Sequence, residues 1–99
     1  MVTIGISRWS TETGREIGKR SLEMKPLPDF VKVTGPYMYP DENEGIKAIT
    51  IYKYDKSQAG EAAEAIANSY LPFFGVKGFR YSLNLASGAN ATMKMMGFE

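Results

Sequence analysis

The order in which two kinds of periodicity alternate along the chain constrains its fold more than any other feature. Val2-Thr3-Ile4-Gly5-Ile6-Ser7 alternates apolar with small or polar residues, the period-two signature of a half-buried strand. Ser10 or Thr11, followed by Glu12 and Glu16, then opens a helix to about Met24 with Lys19, Arg20 and Lys25 near its end. That charge order suits the helix dipole. Gly14 and Gly18 each weaken this helix by about 1 kcal/mol relative to alanine, so it needs tertiary support. Pro26 and Pro28 stop it.

Phe30 to Tyr39 reads as a second strand with Gly35-Pro36 inside it. Proline cannot donate to a ladder, so this strand belongs on a sheet edge or carries a bulge there. Pro40-Asp41-Glu42-Asn43-Glu44-Gly45 is a polar hairpin loop, and Ile46 to Tyr54 is the clearest strand of the chain. Asp55 and Gln58 form a capping pair for a second helix, Ala59 to about Tyr70, which Pro72, Gly75 and Gly78 end. Phe79 to Ala86 forms a fourth strand, Ser87-Gly88-Ala89-Asn90 a turn, and a methionine-rich tail follows.

The resulting string is βαββαβ plus a tail, the split-βαβ arrangement. It predicts a single α+β domain over residues 1–99, ferredoxin-like, with a four-stranded antiparallel sheet and two helices on one face. Strands one and three should lie centrally and strand two at an edge. Ninety-nine residues suit one domain.

Composition narrows the chemistry. The chain has neither cysteine nor histidine. That removes disulfides, thiolate nucleophiles, the commonest ligands of zinc, copper and haem iron, and Ser–His or Cys–His catalysis. No cofactor is expected. Twelve Lys and Arg residues against eleven Asp and Glu leave no overall electrostatic footprint for nucleic acid or an anionic membrane. No stretch approaches the roughly 18 apolar residues of a membrane helix, and Met1 to Trp9 does not read as a signal peptide, so the expected location is the cytoplasm.

Strand parity sorts the side chains onto two faces. One would carry Ile4, Ile6, Val31, Val33, Ile49, Ile51, Tyr81, Leu83 and Leu85, read as the core face beneath the helices. The second helix would offer it Ala59, Ala63, Ile66, Ala67 and Tyr70. The other would carry Thr3, Gly5, Ser7, Trp9, Lys32, Thr34, Ala48, Thr50, Tyr52, Tyr54, Arg80, Ser82 and Asn84. Its low charge and many hydroxyl and aromatic groups suit burial against a second subunit, with a solvated face and a ligand platform as alternatives.

The runs Val33-Thr34-Gly35-Pro36-Tyr37, Gly45-Ile46-Lys47-Ala48-Ile49-Thr50-Ile51-Tyr52 and Phe74-Gly75-Val76-Lys77-Gly78-Phe79-Arg80-Tyr81, with the element order, resemble the dimeric α/β-barrel superfamily, in particular small bacterial and archaeal proteins of unknown function. The resemblance implies a homodimer in which two ferredoxin-like sheets pack face to face. It implies no single activity: such folds serve cofactor-free monooxygenases, lactone isomerases, haem-degrading enzymes and amino-acid-sensing domains. The haem-using branch usually depends on a histidine absent here.

Three local motifs have plainer explanations. Lys77-Gly78-Phe79-Arg80-Tyr81 resembles the basic-glycine-aromatic run of RNA recognition motifs, but it lies on the wrong strand, and Thr3 stands where a stacking aromatic belongs. Asp41 to Gly45 lacks the ligand spacing of a calcium loop. Met93, Met95 and Met96 suit a cuprous ion less well than they suit packing, with Phe98, on the same or a neighbouring subunit.

The tyrosines offer the best candidate site. Tyr37 and Tyr39 at the end of the second strand, and Tyr52 and Tyr54 at the end of the third, are expected to meet. With Trp9 and Arg80 they would line a pocket for a planar or anionic small molecule; filling a dimer interface is the competing explanation. The expected function is a homodimeric small-molecule-binding or interaction module without catalysis. The alternative is a cofactor-independent isomerase or monooxygenase on a small aromatic or lactone-like substrate, with a tyrosine or Arg80 polarising an oxyanion. Asp29 and Asp55 sit at element ends, so no carboxylate stands out as a base.

Overall fold

The computed structural model describes residues 1–41 and 45–97. Of the acidic loop, residues 42–44 lie outside the described residues, as does Phe98. The chain forms four strands, β1 (Val2–Trp9), β2 (Lys32–Pro40), β3 (Ile46–Lys53) and β4 (Arg80–Ala86), and three helices, α1 (Gly14–Ser21), α2 (Ala59–Ser69) and α3 (Ala89–Met95). The strands make one antiparallel sheet in the order β2-β3-β1-β4, so β2 lies at an edge, where a proline does least harm. Thr34 pairs with Ile51, yet Tyr37 pairs with Ile49. Three residues of β2 therefore match two of β3, a bulge. Gly35 makes it possible: its φ is +97°, and a Cβ there would stand 2.8 Å from the Ile49 carbonyl oxygen.

The weakness of α1 is met by tertiary ties. Ile17 is its buried residue. Arg20 pairs with Glu16 at 3.0 Å and donates to the carbonyls of Pro72 and Phe74 at 2.9 and 3.0 Å, clamping α1 to the turn after α2. The helix is shorter than expected, ending at Ser21, with Leu22 to Phe30 in turns and irregular chain. Asp55 accepts the Ser57 N–H at 3.1 Å and starts the 3-10 turn that leads into α2. On α2 the buried residues are Ala62, Ile66 and Ser69, while Ala63 and Ala67 are exposed. Ile66 and Tyr70 are buried as expected, but Ala62 and Ser69 replace Ala63 and Ala67, so the helix is turned by less than one residue (about 100°) from the phase expected. Ala89 and Asn90, expected in a turn, begin α3, none of whose residues is buried.

The sheet faces are divided differently from the expectation. On β1 the buried residues are Thr3, Gly5, Ser7 and Trp9; on β3 they are Ala48, Thr50 and Tyr52, followed by Tyr54. These positions face α1 and α2, whereas Ile4, Ile6, Ile49 and Ile51 lie on the other side, half-buried. The register mixes the two sets: Gly5 pairs with Leu83, and Ile6 with Ser82. Tyr81, Leu83 and Leu85 therefore share the helix side with Ser7, Gly5 and Thr3. Volume explains the choice. Tyr70 and Phe73, from the end of α2 and the turn after it, bring large rings to the sheet, and only small residues beneath leave room for them.

Candidate functional site

Between the sheet and α1 with its trailing segment lies a half-open hollow of about 240 Å³. Its floor is built by Ser7, Ala48, Thr50 and Tyr52 of the central strands, and its roof by Ile17, Met24 and Leu27. Trp9, Phe73 and Phe79 also line it as a row of rings, with Trp9–Phe79 centroids 6.5 Å and Phe73–Phe79 centroids 5.0 Å apart. Val33 and Met38 of the edge strand, 46% and 59% exposed, mark its opening. The lining is thus dominated by aromatic and aliphatic carbon, as in sites for small organic molecules.

The main polar feature is a pair of phenols. Tyr52 and Tyr70 hydroxyls lie 3.0 Å apart, and either can donate to the other. Whichever donates, one O–H proton and free lone pairs remain for a guest. The pair depends on Gly5, because a Cβ there would stand 2.6 Å from the Tyr70 hydroxyl and 3.2 Å from the Tyr52 ring. Burial, then the Tyr52 hydrogen bond and the charges that Tyr52 and Tyr81 would carry when ionised, raise the Tyr70 pKa well above the ordinary phenol value. Tyr70 is consequently a neutral donor and acceptor and not a phenolate base. Among the described residues, Lys25 is the one charged side chain in the lining, and no carboxylate joins it.

The six residues singled out from the sequence are split among three places. Trp9 and Tyr52 line the hollow. Tyr54 is buried one rung further along, its hydroxyl 2.7 Å from Thr3 Oγ1, beside a second apolar hollow of about 380 Å³ between α2 and β4. Tyr37, Tyr39 and Arg80 are exposed on the opposite side of the sheet, paired with Ile49, Lys47 and Arg8. The expected meeting of the two tyrosine pairs does not occur, because alternation and the bulge point them to opposite faces. Tyr70, Phe73, Phe79, Met24 and Met38 line the hollow as well, beyond the six site residues that the sequence suggests. The signal for Tyr70 was the bare Gly5 in the middle of an otherwise substituted strand.

The other motifs are also placed. Phe79 and Tyr81 turn towards the helices, where Tyr81, still 38% exposed, stacks on Tyr70 at 4.7 Å and Phe79 stacks on Phe73 at 5.0 Å. Met93, Met95 and Met96 are exposed on α3. Among the described residues no group of three Asp or Glu side chains is placed to hold a metal ion. No helix among them is long and apolar enough to cross a membrane.

No protein-family model matches the chain, and no curated protein matches it. Among solved structures, one described as "De novo designed protein Foldit4" is similar at 20% identity, covering 87% of this chain and 96% of that one, with a TM-score of 0.44.

Proposed function

We propose that the protein binds a small, flat, largely apolar molecule in the hollow beneath α1, without chemically altering it. The observation that carries this reading is the aromatic lining closed at one point by the Tyr52–Tyr70 hydroxyl pair. Such a site rewards a ring system through buried area and fixes its orientation through one carbonyl or hydroxyl group. A volume of 240 Å³ equals about eight water molecules at ~30 Å³ each, room for one or two fused rings. The lack of a carboxylate in the described lining and the neutral state of Tyr70 favour binding over isomerase or oxygenase chemistry.

Trp9 is the sole tryptophan of the chain and lines the hollow, so its fluorescence reports occupancy directly. Titration with 2-naphthol should quench it saturably. Ala48→Leu, which fills the floor, should abolish the response while the far-ultraviolet circular dichroism stays unchanged. A linear, unsaturable response, or an undiminished one in Ala48→Leu, removes the reading.

The finer architecture belongs to the same proposal: a ferredoxin-like subunit pairing with a second copy through its open sheet face. Support comes from the two central rungs of that face, Thr34-Ile51-Ile4-Asn84 and Tyr37-Ile49-Ile6-Ser82, where four half-buried isoleucines stand together on the side away from the buried residues of β1 and β3. The residues first expected at such an interface are the ones the protein's own helices cover, so the interface proposed is centred on the four isoleucines and leaves the end rung Lys47-Arg8-Arg80 at its margin, open to solvent.

A further inference from the structure

The open sheet face is ordered in four cross-strand rungs, and the two outer ones are cationic. At one end Lys32 faces Lys53; at the other, Lys47 faces Arg8 and Arg8 faces Arg80. Five of the chain's twelve Lys and Arg residues thus stand on one face of a protein whose total charge is only +1. Like charges directly opposite each other on neighbouring strands destabilise a sheet. Three in succession call for an anion. Among the described residues the ion pair at this end is Arg8 with Asp41, a loose contact of 3.6 Å with the Arg8 side chain 52% exposed.

The same end contains a hollow of about 190 Å³ lined by Ile6, Arg8, Arg80, Tyr81 and Ser82. Ser82 accepts a hydrogen bond from its neighbour on the strand. Asn84 Nδ2 donates to Ser82 Oγ at 3.1 Å and lies 3.3 Å from the Ile4 carbonyl oxygen. Since Ser82 Oγ accepts from Asn84, its own O–H proton is left to point elsewhere. Two arginines and a serine hydroxyl therefore belong to residues that border one small concavity.

We propose that Arg8, Arg80 and Ser82 form a binding site for the phosphoryl group of a small phosphorylated compound, on the opposite side of the sheet from the aromatic hollow. A tetrahedral oxyanion of charge near −2 offers enough oxygens to engage both guanidinium groups and the serine, and it offsets the repulsion within the rung. Lys47 adds long-range attraction, and Asp41 competes with the anion for Arg8.

Inorganic pyrophosphate, titrated into the full chain in dilute chloride buffer by calorimetry, tests the site. One pyrophosphate per chain should bind, with acetate at least tenfold weaker. Arg8→Gln and Arg80→Gln should each lower the affinity at least tenfold, and Asp41→Asn should raise it about threefold. Lys32→Gln, at the far cationic rung, should change it less than twofold. Absent saturable binding overturns the proposal. So does an equal loss in Lys32→Gln, which would mean diffuse attraction by the face and no localised site.

Discussion

The hydroxyls of Tyr52 and Tyr70 meet at 3.0 Å in the gap between the sheet and the end of α2, a gap kept open by the missing side chain of Gly5. This contact joins β3 to the helix layer and is also the polar end of the aromatic hollow. Replacing Tyr70 by phenylalanine removes one hydrogen bond and leaves its partner hydroxyl in a dry setting. A loss of about 1 kcal/mol is expected, read as a lower urea midpoint at unchanged slope. Tyr52→Phe should act similarly and also weaken 2-naphthol binding.

Gly5→Ala tests the spacing itself. The added methyl group meets the Tyr70 hydroxyl at 2.6 Å, which overpacks the layer and should cost about 1–3 kcal/mol. The double variant Gly5→Ala, Tyr70→Phe should recover part of that loss, since the closest atom is gone. A Gly5→Ala protein as stable as the parent would contradict the geometry.

The raised pKa of Tyr70 has a definite sign for stability. An unfolded tyrosine ionises near pH ~10, whereas burial and Tyr52 keep Tyr70 protonated in the folded chain well beyond that. Below pH ~10 both states hold the proton and stability does not depend on it. Above it the unfolded chain releases a proton that the native one retains, so stability falls as pH rises. Denaturant midpoints between pH 9 and 11 should drop more steeply for the parent than for Tyr70→Phe; parallel curves would refute the assignment.

Arg80→Ala should leave 2-naphthol binding untouched, because Arg80 stands on the far side of the sheet from the hollow. Fluorescence titration of Trp9 in this variant should superimpose on that of the parent. Any marked weakening would mean that the two sides communicate.

The open face makes a prediction about mass. Light scattering over a dilution series should give twice the chain mass for the parent and the single-chain mass for Ile51→Glu, which places a charge within the central rungs. A parent protein that is monomeric at all concentrations would refute pairing through this face.

Much of the architecture was legible in the sequence, and for physical reasons. The strands announce themselves by alternation, and Pro36 and Pro40 are tolerable only where no neighbouring strand needs their N–H. What could not be read was which side of each strand faces the helices. Ile4 and Ile6 look like core beside Thr3, Gly5 and Ser7, but hydrophobicity alone does not record that Tyr70 and Phe73 must fit above the latter. Both faces carry apolar groups, so alternation sets the period and leaves the phase free. The candidate site inherited that ambiguity. Trp9 and Tyr52 both line the hollow, while Tyr37 and Arg80 lie on the other side of the sheet.

Ser7 and Arg8 are adjacent in the chain, yet one belongs to the aromatic hollow and the other to the cationic rung. The two surfaces can therefore diverge separately by point substitution, each changing its chemistry while the other is inherited intact. A change of length has no such freedom. One residue inserted within β1, which is paired on both sides, would exchange the two surfaces over the rest of the strand. Length variation among descendants of this chain should accumulate in β2, whose bulge already carries one residue too many.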